Sequence, residues 1–386
     1  MDFELTEEQK LIRSTARRIA QERVAPRAAE IDQTKEYPED IFQLYKEQGL
    51  LGLAIPTEYG GSGAGIVGLC LAIEEVAKYC CSSGLILLLS LLPTAPILIA
   101  GNEEQKQTYV RKVAEGQYRA AFGLTEPDAG SDVANMRTRA VREGNEYILN
   151  GEKCFISGAT VGDFYTIFAK TDPAAGNRGV SAFIVPRNAP GFSVGRVDKK
   201  MGVRGVPTAQ LVMQDCRIPA ENMLGQEGQG FKTAMLSLNY LRGAVGARAL
   251  GLAEGALQYA VEYARNRYAY GEPIINLQGL QFMIADMVSQ IEAARLLMYQ
   301  AALMVDHGKY LKEDAGMLSV AKLLATEMAV KVASDALQLL GANGYMEDHP
   351  LERMYRDVRQ LTIVEGTSQI QRVHIARAIV DRDIVY

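Results

Sequence analysis

The side chains best suited to chemistry fall in two short segments far apart in the chain. Residues 124–132 combine the hydroxyls of Thr125 and Ser131 with turn-forming residues, where the hydrophobic pattern changes from helical to β. Residues 364–368 place the carboxylate of Glu365 before the last predicted helix. In a water-poor pocket such a carboxylate can act as a general base. Each segment alone also has a structural explanation: a strand-to-turn transition, and an acidic residue favoured by the helix dipole.

Nucleotide-binding and metal-binding motifs are weaker. The glycines of residues 225–230 have the wrong order for a GxGxxG fingerprint and do not lie inside a βαβ unit, so we interpret this segment as a linker. No P-loop is present in the sequence. The three histidines form neither an HExxH motif nor a Cys/His cluster, so no metal is predicted. The five cysteines lack regular spacing, which argues against a disulfide framework and for a reducing compartment.

Composition and charge limit the class of protein further. A net charge of −5 without a run of Lys or Arg gives no footprint for nucleic acid. The first residues resemble neither a secretory signal nor an Arg-rich transit segment, so we predict a cytoplasmic protein. The uncharged stretch between Cys80 and Asn102 is interrupted by Pro93 and Pro96. Because a span needs about 20 continuous apolar residues, this stretch predicts two short buried helices and no membrane span.

The elements that must position these residues begin with helices and continue with strands. Residues 1–119 read as a helical domain that starts at a capping box of Thr6 and Gln9. Residues 120–231 contain short β-type runs without helices between them, which favours an antiparallel barrel or sandwich. Within this middle domain, Asn150-Gly151 is the strongest hairpin signal.

Residues 232–386 are predicted to form a four-helix bundle, because long apolar-faced helical segments are joined by short connections. A capping box of Ser368 and Gln371 is predicted to begin the last helix. The predicted bundle helices span residues 231–267, 278–307, 314–340 and 368–383.

As a pair, and in this order, residues 124–132 and 364–368 resemble the two signature regions of the acyl-CoA dehydrogenases. The resemblance implies the same α+β multidomain fold: a helical domain, a β-barrel or sandwich, and a four-helix bundle. It implies α,β-dehydrogenation of an acyl-CoA thioester to the 2-enoyl-CoA, in which Glu365 removes the α proton and hydride passes to FAD N5. It further implies an electron-transfer flavoprotein as electron acceptor and a homo-oligomer, expected to be a tetramer.

The resemblance also assigns cofactor-binding positions residue by residue. Backbone groups around Phe122 and Leu124 and the hydroxyl of Thr125 would face the isoalloxazine, and Ser131 would reach the flavin or the pantetheine phosphate region. Residues 155–157 would flank the flavin, with Phe155 in place of the more common Trp. Residues at the ends of the predicted bundle helices would hold the FAD diphosphate and adenine, some of them from a neighbouring subunit. The residues expected to bind FAD are Phe122, Leu124, Thr125, Ser131, Phe155, Ile156, Ser157, Arg267, Gln278, Gln338, Gly341, Ala342, Thr367 and Gln369.

Substrate contacts are expected from Ser131, Asn239, Arg242 and Gly366, although Arg242 could equally be a structural ion-pair partner. Some relatives carry the base directly before this arginine; Leu241 stands there, which strengthens the assignment of Glu365. Two alternatives stay open: an oxygen-using oxidase or other flavin enzyme on the same fold, and a non-catalytic relative. The acyl group stays open too, because no Arg or Lys can be placed well enough to argue for a dicarboxyl substrate.

Overall fold

The computed structural model describes residues 4–380, and its first part is helical, as predicted. The predicted capping box begins the first helix: the Gln9 N–H donates to Thr6 Oγ1 at 3.2 Å, and the Thr6 N–H donates to the Gln9 side chain. The helices of this domain are α1 (Glu7–Ile19), α2 (Ala28–Thr34), α3 (Glu39–Glu47), α4 (Gly65–Ala77), α5 (Cys81–Leu89), α6 (Ala95–Ala100), α7 (Glu103–Gln105) and α8 (Arg111–Ala114).

The uncharged stretch of the sequence forms α5 and α6, so the prediction of two short buried helices is confirmed. Every residue of α5 is buried, and Pro96 lies in the first turn of α6, where its missing N–H costs no helical hydrogen bond. Across residues 4–380, no helix is both long and apolar enough to cross a membrane.

The middle domain is a sheet whose strand order is β6-β7-β3-β2-β4-β5-β8, with β1 paired to β4. Most neighbouring strands are antiparallel, as predicted, whereas β1 and the first residue of β2 pair with β4 in parallel. The strands are β1 (Ala120–Gly123), β2 (Arg139–Glu143), β3 (Glu146–Ser157), β4 (Phe164–Lys170), β5 (Val180–Pro186), β6 (Phe192–Val197), β7 (Thr208–Pro219) and β8 (Met223–Leu224).

The hairpin predicted at Asn150-Gly151 is wrong. Strand β3 runs through this dipeptide, and the tight turn lies earlier, at Gly144 and Asn145 between β2 and β3. Asn150-Gly151 instead forms a bulge against β7: Gly151 has a φ of 145°, and Asn150 Nδ2 donates to Asp215 Oδ1 at 3.0 Å. The left-handed and extended freedom of an Asn-Gly pair suits a bulge as well as a turn, which explains the error.

The C-terminal region is the predicted helical bundle with one additional helix. Its helices are α9 (Gly230–Asn266), α10 (Gln278–Asp306), α11 (Ala315–Leu339), α12 (Leu351–Leu361) and α13 (Ser368–Val380). The predicted end of the last helix at residue 383 lies outside the described residues. A small hairpin of β9 (Tyr268–Ala269) and β10 (Glu272–Pro273) connects α9 to α10.

Helix α12 was missed by the sequence interpretation, although its signal was present. Its buried apolar residues Leu351, Met354, Val358 and Leu361 recur at helical spacing. The helix matters for the site because it ends a few residues before Glu365.

Charged side chains join the first helical domain to the bundle. The carboxylate of Asp306, at the end of α10, accepts the N–H groups of Ile66 and Val67 in the first turn of α4. Arg295 of α10 donates to buried Glu74 of α4 at 3.0 Å. These contacts fix α4 against α9 and α10, so the bundle and the first domain share one core.

Candidate active site

Glu365 lies in the turn between α12 and α13, and its backbone is strained. It has a φ of 54° and Gly366 a φ of 93°, both in the left-handed region. A residue with a Cβ pays roughly 1–3 kcal/mol for this conformation, and such strain clusters at functional sites. The backbone N–H of Glu365 has no acceptor among the described residues. The turn therefore presents both an N–H donor and a carboxylate.

The capping box predicted for Ser368 and Gln371 is wrong by one residue. Helix α13 starts at Ser368, so the cap is Thr367, whose hydroxyl accepts the Ile370 N–H at 3.2 Å. Buried Gln371 instead donates from Nε2 to the Gly366 carbonyl at 3.0 Å. Thr and Ser cap helices equally well, so the pair Thr367-Ser368 did not reveal which residue is first in the helix.

Two buried cations that the sequence interpretation missed stand beside this turn. Lys322 of α11 donates to the Gly366 carbonyl at 2.8 Å, and Arg248 of α9 donates from Nη2 to Gln360 Oε1 at 3.1 Å. Burial lowers the pKa of Lys322 to about 8, against the pull of Glu365. A Lys and an Arg inside otherwise apolar helical segments were the signal that could have found them.

The carboxylate of Glu365 is surrounded by protein but not sealed from water. The residue is half-buried, yet burial is the main cause that raises its pKa, opposed by the charges of Arg248 and Lys322. Within residues 4–380 no side chain or N–H donates to this carboxylate. Such a carboxylate can accept a proton from a bound molecule, which a fully bonded one cannot.

The carboxylate of Glu126, in the other signature segment, already has an ion-pair partner and hydrogen-bond donors. Glu126 is buried, pairs with Lys153 Nζ at 2.7 Å and accepts the N–H groups of Arg137 and Thr138. These donors lower the pKa of Glu126 despite the opposing effect of burial. Burial lowers the pKa of Lys153 to about 8, so the ionised pair persists at neutral pH. Glu126 is therefore a structural residue and not an alternative base.

Lys153 also holds the loop in which the predicted cofactor residues lie. Its Nζ donates to the Leu124 carbonyl at 3.2 Å, and the Thr125 carbonyl accepts the Cys154 N–H at 2.9 Å. Leu124 is buried, Thr125 is half-buried and Ser131 is exposed. The loop is thereby fixed against β3.

Residues 155–157 continue β3 beside this loop. Phe155 is 67% exposed with a φ of 59°, Ile156 is buried in the sheet core and Ser157 is half-buried. Phe122 is half-buried and packs on Phe168 with ring centroids 5.1 Å apart. An exposed aromatic ring in a strained conformation offers a surface for a flat ligand.

A second group of predicted cofactor residues lies at one end of the bundle, where α9 and α11 end and α10 begins. Arg267 and Gly341 are exposed, and Tyr263 connects their segments: its carbonyl accepts the Arg267 N–H and its hydroxyl bonds Asn343. Of the described residues, none accepts a hydrogen bond from the Arg267 guanidinium. The residues predicted at this end, all exposed, are Arg267, Gln278, Gln338, Gly341 and Ala342.

This end of the bundle fits a diphosphate. The Arg267 fork can donate parallel hydrogen bonds to phosphate oxygens, and Gly341, with a φ of 59° and open space around it, lets a ligand approach the backbone. No hydrogen bond or ion pair in the described chain joins this end of the bundle to the Glu365 turn. The two cofactor residues predicted beside that turn are Thr367, which is half-buried, and Gln369, which is exposed.

The predicted substrate residues of α9 bond other parts of the bundle, Asn239 the loop between α10 and α11 and Arg242 helix α11. Buried Asn239 donates to the Tyr310 carbonyl at 3.1 Å, and Arg242 donates to the Ala315 carbonyl at 2.8 Å and to Ser319 Oγ. Burial lowers the pKa of Arg242 to about 10, and no described carboxylate forms an ion pair with it. Among the described residues, no hydrogen bond or ion pair joins either residue to Glu365, and the ion-pair alternative for Arg242 is wrong.

Comparisons with known proteins agree along the whole chain. The N-terminal, middle and C-terminal domain models of acyl-CoA dehydrogenases match residues 6–117, 121–216 and 228–380. The chain is 46% identical to acryloyl-CoA reductase (NADH) of Anaerotignum propionicum, over 99% of this chain and 97% of that protein.

Two solved structures are similar as well. One is a chain in a structure of the electron-transferring flavoprotein of Acidaminococcus fermentans, with a TM-score of 0.96 and 42% identity, covering 99% of this chain and 100% of that one. The other is butyryl-CoA dehydrogenase of Megasphaera elsdenii, with a TM-score of 0.95 and 40% identity, covering 98% and 100%.

The chain belongs to the acyl-CoA dehydrogenase family. It has the three-domain fold of that family and is an FAD-dependent oxidoreductase that acts on the CH–CH bond of acyl-CoA thioesters.

Proposed function

We propose that Glu365 removes the α proton of a bound acyl-CoA, so that the thioester becomes a trans-2-enoyl-CoA. The observation that carries this assignment is the state of its carboxylate: desolvated, accessible and without a hydrogen-bond donor within the described residues. FAD, when bound, supplies the acceptor for the hydride from the β carbon. No other carboxylate in the two signature segments combines these properties.

The same turn can stabilise the charge that develops as the proton leaves. An α proton is far too weakly acidic for an unaided carboxylate, so the thioester oxygen must be hydrogen-bonded in the transition state. The N–H of Glu365, which has no acceptor among the described residues, is a donor on the same residue as the proposed base. Lys322 and Gln371 both donate to the Gly366 carbonyl and so hold the turn in place. The left-handed φ of Glu365 takes its N–H out of the helical hydrogen-bond pattern.

The cofactor contacts are proposals as well. Lys153 fixes Leu124 and the Cys154 N–H fixes Thr125, Phe155 exposes its ring on the same strand, and Arg267 leaves its guanidinium without a described partner. Arg267→Ala removes one charge-assisted phosphate contact, so FAD should dissociate faster while the fold is kept. Flavin retained during dialysis, compared between this variant and Arg265→Ala on the same helix end, measures the effect. Equal retention would remove Arg267 from the FAD site.

We further propose that the chain is a homotetramer in the cytoplasm that passes electrons to an electron-transfer flavoprotein. Support for assembly comes from apolar side chains left exposed on the bundle, and all five cysteines are free, which suits a reducing compartment. The exposed side chains are Tyr270, Phe282, Leu296, Leu303 and Leu324. A stable monomer in light scattering, with full flavin and activity, would contradict the assembly.

Anaerobic mixing with saturated acyl-CoAs tests the reaction, because reduction bleaches the flavin absorbance. Bleaching that persists in air and is reversed by an electron-transfer flavoprotein supports the dehydrogenase. Rapid return of colour in air with formation of hydrogen peroxide would identify the oxidase alternative. No bleaching with any thioester would refute the proposed function.

A further inference from the structure

Arg248 is a buried charge whose donors are largely unused. It lies in the middle of α9 with 0% exposure, and its one side-chain hydrogen bond among the described residues runs from Nη2 to Gln360 Oε1. Its Nε and Nη1 have no acceptor in the described chain, and no carboxylate lies within ion-pair distance. An unmet buried donor costs about 1–3 kcal/mol, more on a charged group, so this arrangement requires an explanation.

Buried charges of both signs lie around Arg248. Buried Lys322 and half-buried Lys200 act on the same region, and both donate to backbone carbonyls, Lys200 to those of Val203 and Val206. The carboxylates that act on these lysines are Glu365 and Glu327 for Lys322, and Asp357 and Asp198 for Lys200. Among the described residues, none of these carboxylates forms an ion pair or hydrogen bond with Arg248. The Arg248 guanidinium therefore lacks an anion in direct contact.

Arg248 also stands beside the turn that holds the proposed base. Gln360, which it contacts, is in the last turn of α12, and its carbonyl accepts the N–H groups of Ile363 and Val364 next to Glu365. On another side lies Gly84 of buried helix α5, where an added Cβ would be 3.6 Å from Arg248 Cγ. A glycine at this wall keeps the side-chain volume between α5 and α9 low.

We propose that Arg248 binds a carboxylate at the end of the acyl group away from the thioester, so that the substrate is the mono-CoA thioester of a dicarboxylic acid. The inference rests on the proposed function, since it places the acyl group beside Glu365. Either unpaired N–H can donate a charge-assisted hydrogen bond to a carboxylate oxygen. A neutral oxygen would leave the buried Arg248 charge without a counter-ion in contact, which is why the proposal specifies an anion.

Such binding would hold the acyl chain at both ends. The thioester oxygen lies on the Glu365 N–H in the proposed reaction, and the distal carboxylate lies on Arg248. An acyl chain fixed at two points has its α carbon positioned at the base, which is a recognised source of rate. An acyl group ending in a methyl leaves Arg248 unpaired and also exposes its charge to an apolar chain.

The experiment compares matched thioesters in the holoenzyme. Anaerobic flavin reduction is measured with glutaryl-CoA against valeryl-CoA, with adipyl-CoA against hexanoyl-CoA, and with the methyl ester of glutaryl-CoA. The parent, Arg248→Met and Arg248→Lys are tested, the last retaining the charge. The parent should prefer a dicarboxyl thioester by about 30-fold or more in kcat/KM, as loss of a buried charged partner corresponds to 2 kcal/mol or more. Arg248→Met should abolish this preference, and Arg248→Lys should keep part of it.

Thermal unfolding provides a readout that does not depend on turnover. Replacing an unpaired buried charge by an apolar side chain should raise the Tm of the ligand-free holoenzyme. A dicarboxyl thioester should raise the Tm of the parent and lose that effect in Arg248→Met. A lower Tm with an unchanged substrate preference would show that Arg248 is structural, and would overturn the proposal.

Two further outcomes decide the matter. If valeryl-CoA, hexanoyl-CoA or the methyl ester matches its carboxylate counterpart in the parent, the proposal is wrong while flavin bleaching leaves the proposed function standing. If no thioester bleaches the flavin, the proposed function fails, and the Tm shift by dicarboxyl thioesters still decides whether Arg248 binds a carboxylate.

Discussion

Each of the two signature segments contains a glutamate, buried Glu126 in one and half-buried Glu365 in the other, and the surroundings of the two carboxylates are opposite. Glu126 receives a lysine and two backbone N–H groups, so its pKa falls below the ordinary value. Glu365 receives no described donor and only the more distant charges of Arg248 and Lys322, so burial raises its pKa. A glutamate is thus a structural ion-pair partner in one segment and an available proton acceptor in the other.

The difference teaches that burial alone does not identify a catalytic carboxylate. What separates the two sites is whether hydrogen bonds to the ionised form compensate for desolvation. Glu126 is compensated and contributes stability, whereas Glu365 is left uncompensated and its turn is strained as well. The Glu365 turn is less stable for this reason, but its carboxylate can change its protonation state.

The largest expected effect is on the rate of flavin reduction in Glu365→Gln. The amide matches the carboxylate in size but cannot take up the α proton, so reduction should slow by about 100- to 10,000-fold or more. Anaerobic stopped-flow spectroscopy at saturating acyl-CoA measures it, with flavin content and thioester binding expected to stay close to the parent.

Glu327→Gln is the matched control. Glu327 is a carboxylate on neighbouring α11, paired with Arg372 at 2.6 Å and about two-fifths exposed, so the reduction rate should be unchanged. A Glu365→Gln protein that bleaches within a few-fold of the parent would place the base elsewhere.

The next largest effect concerns stability and falls on the other glutamate. Glu126→Ala removes the partner of buried Lys153 and the acceptor of the Arg137 and Thr138 N–H groups, which should cost about 3–5 kcal/mol in the free energy of unfolding. Asp128→Ala in the same loop removes an exposed pair with Arg137 and should cost about 0–1 kcal/mol. Thermal unfolding of the two variants as holoproteins measures both losses of stability. Similar losses would mean that the Glu126–Lys153 pair does not stabilise the fold.

A smaller effect distinguishes the two candidate caps of α13. Thr367→Ala removes the hydroxyl that accepts the Ile370 N–H, and should cost about 1 kcal/mol. Ser368→Ala places a good helix former inside the first turn and should cost less. If Ser368→Ala is the more damaging change by urea unfolding, the sequence interpretation of the cap was right after all.

The sequence was sufficient for the fold because its information is local there. Period and length gave the long bundle helices, and the prolines at 93 and 96 gave α5 and α6. The errors fell where one local signal suits two structures, as with Asn150-Gly151 in a bulge and Thr367-Ser368 at a cap.

The polar lining of the site could not be predicted from the sequence because it depends on distant helices. Glu365 stood out as a residue, but Arg248 and Lys322 lie on α9 and α11, and only packing brings them to the turn after α12. The same packing turns Arg242 towards α11, where it donates to the Ala315 carbonyl. Which face of a long helix carries function is set by tertiary contacts that periodicity does not reveal.

Titration of the two carboxylates tests the central claim most directly. Carbon-13 labelling of glutamate, with Glu365→Gln and Glu126→Gln used to assign the signals, gives both pKa values in the holoprotein. The account predicts a pKa above 4.5 for Glu365 and below 4.5 for Glu126. Stability from Glu126 is then present above its unfolded pKa and lost as the pH falls through its folded value, whereas ionisation of Glu365 reduces stability as the pH rises. A Glu365 pKa at or below that of Glu126 would contradict the account.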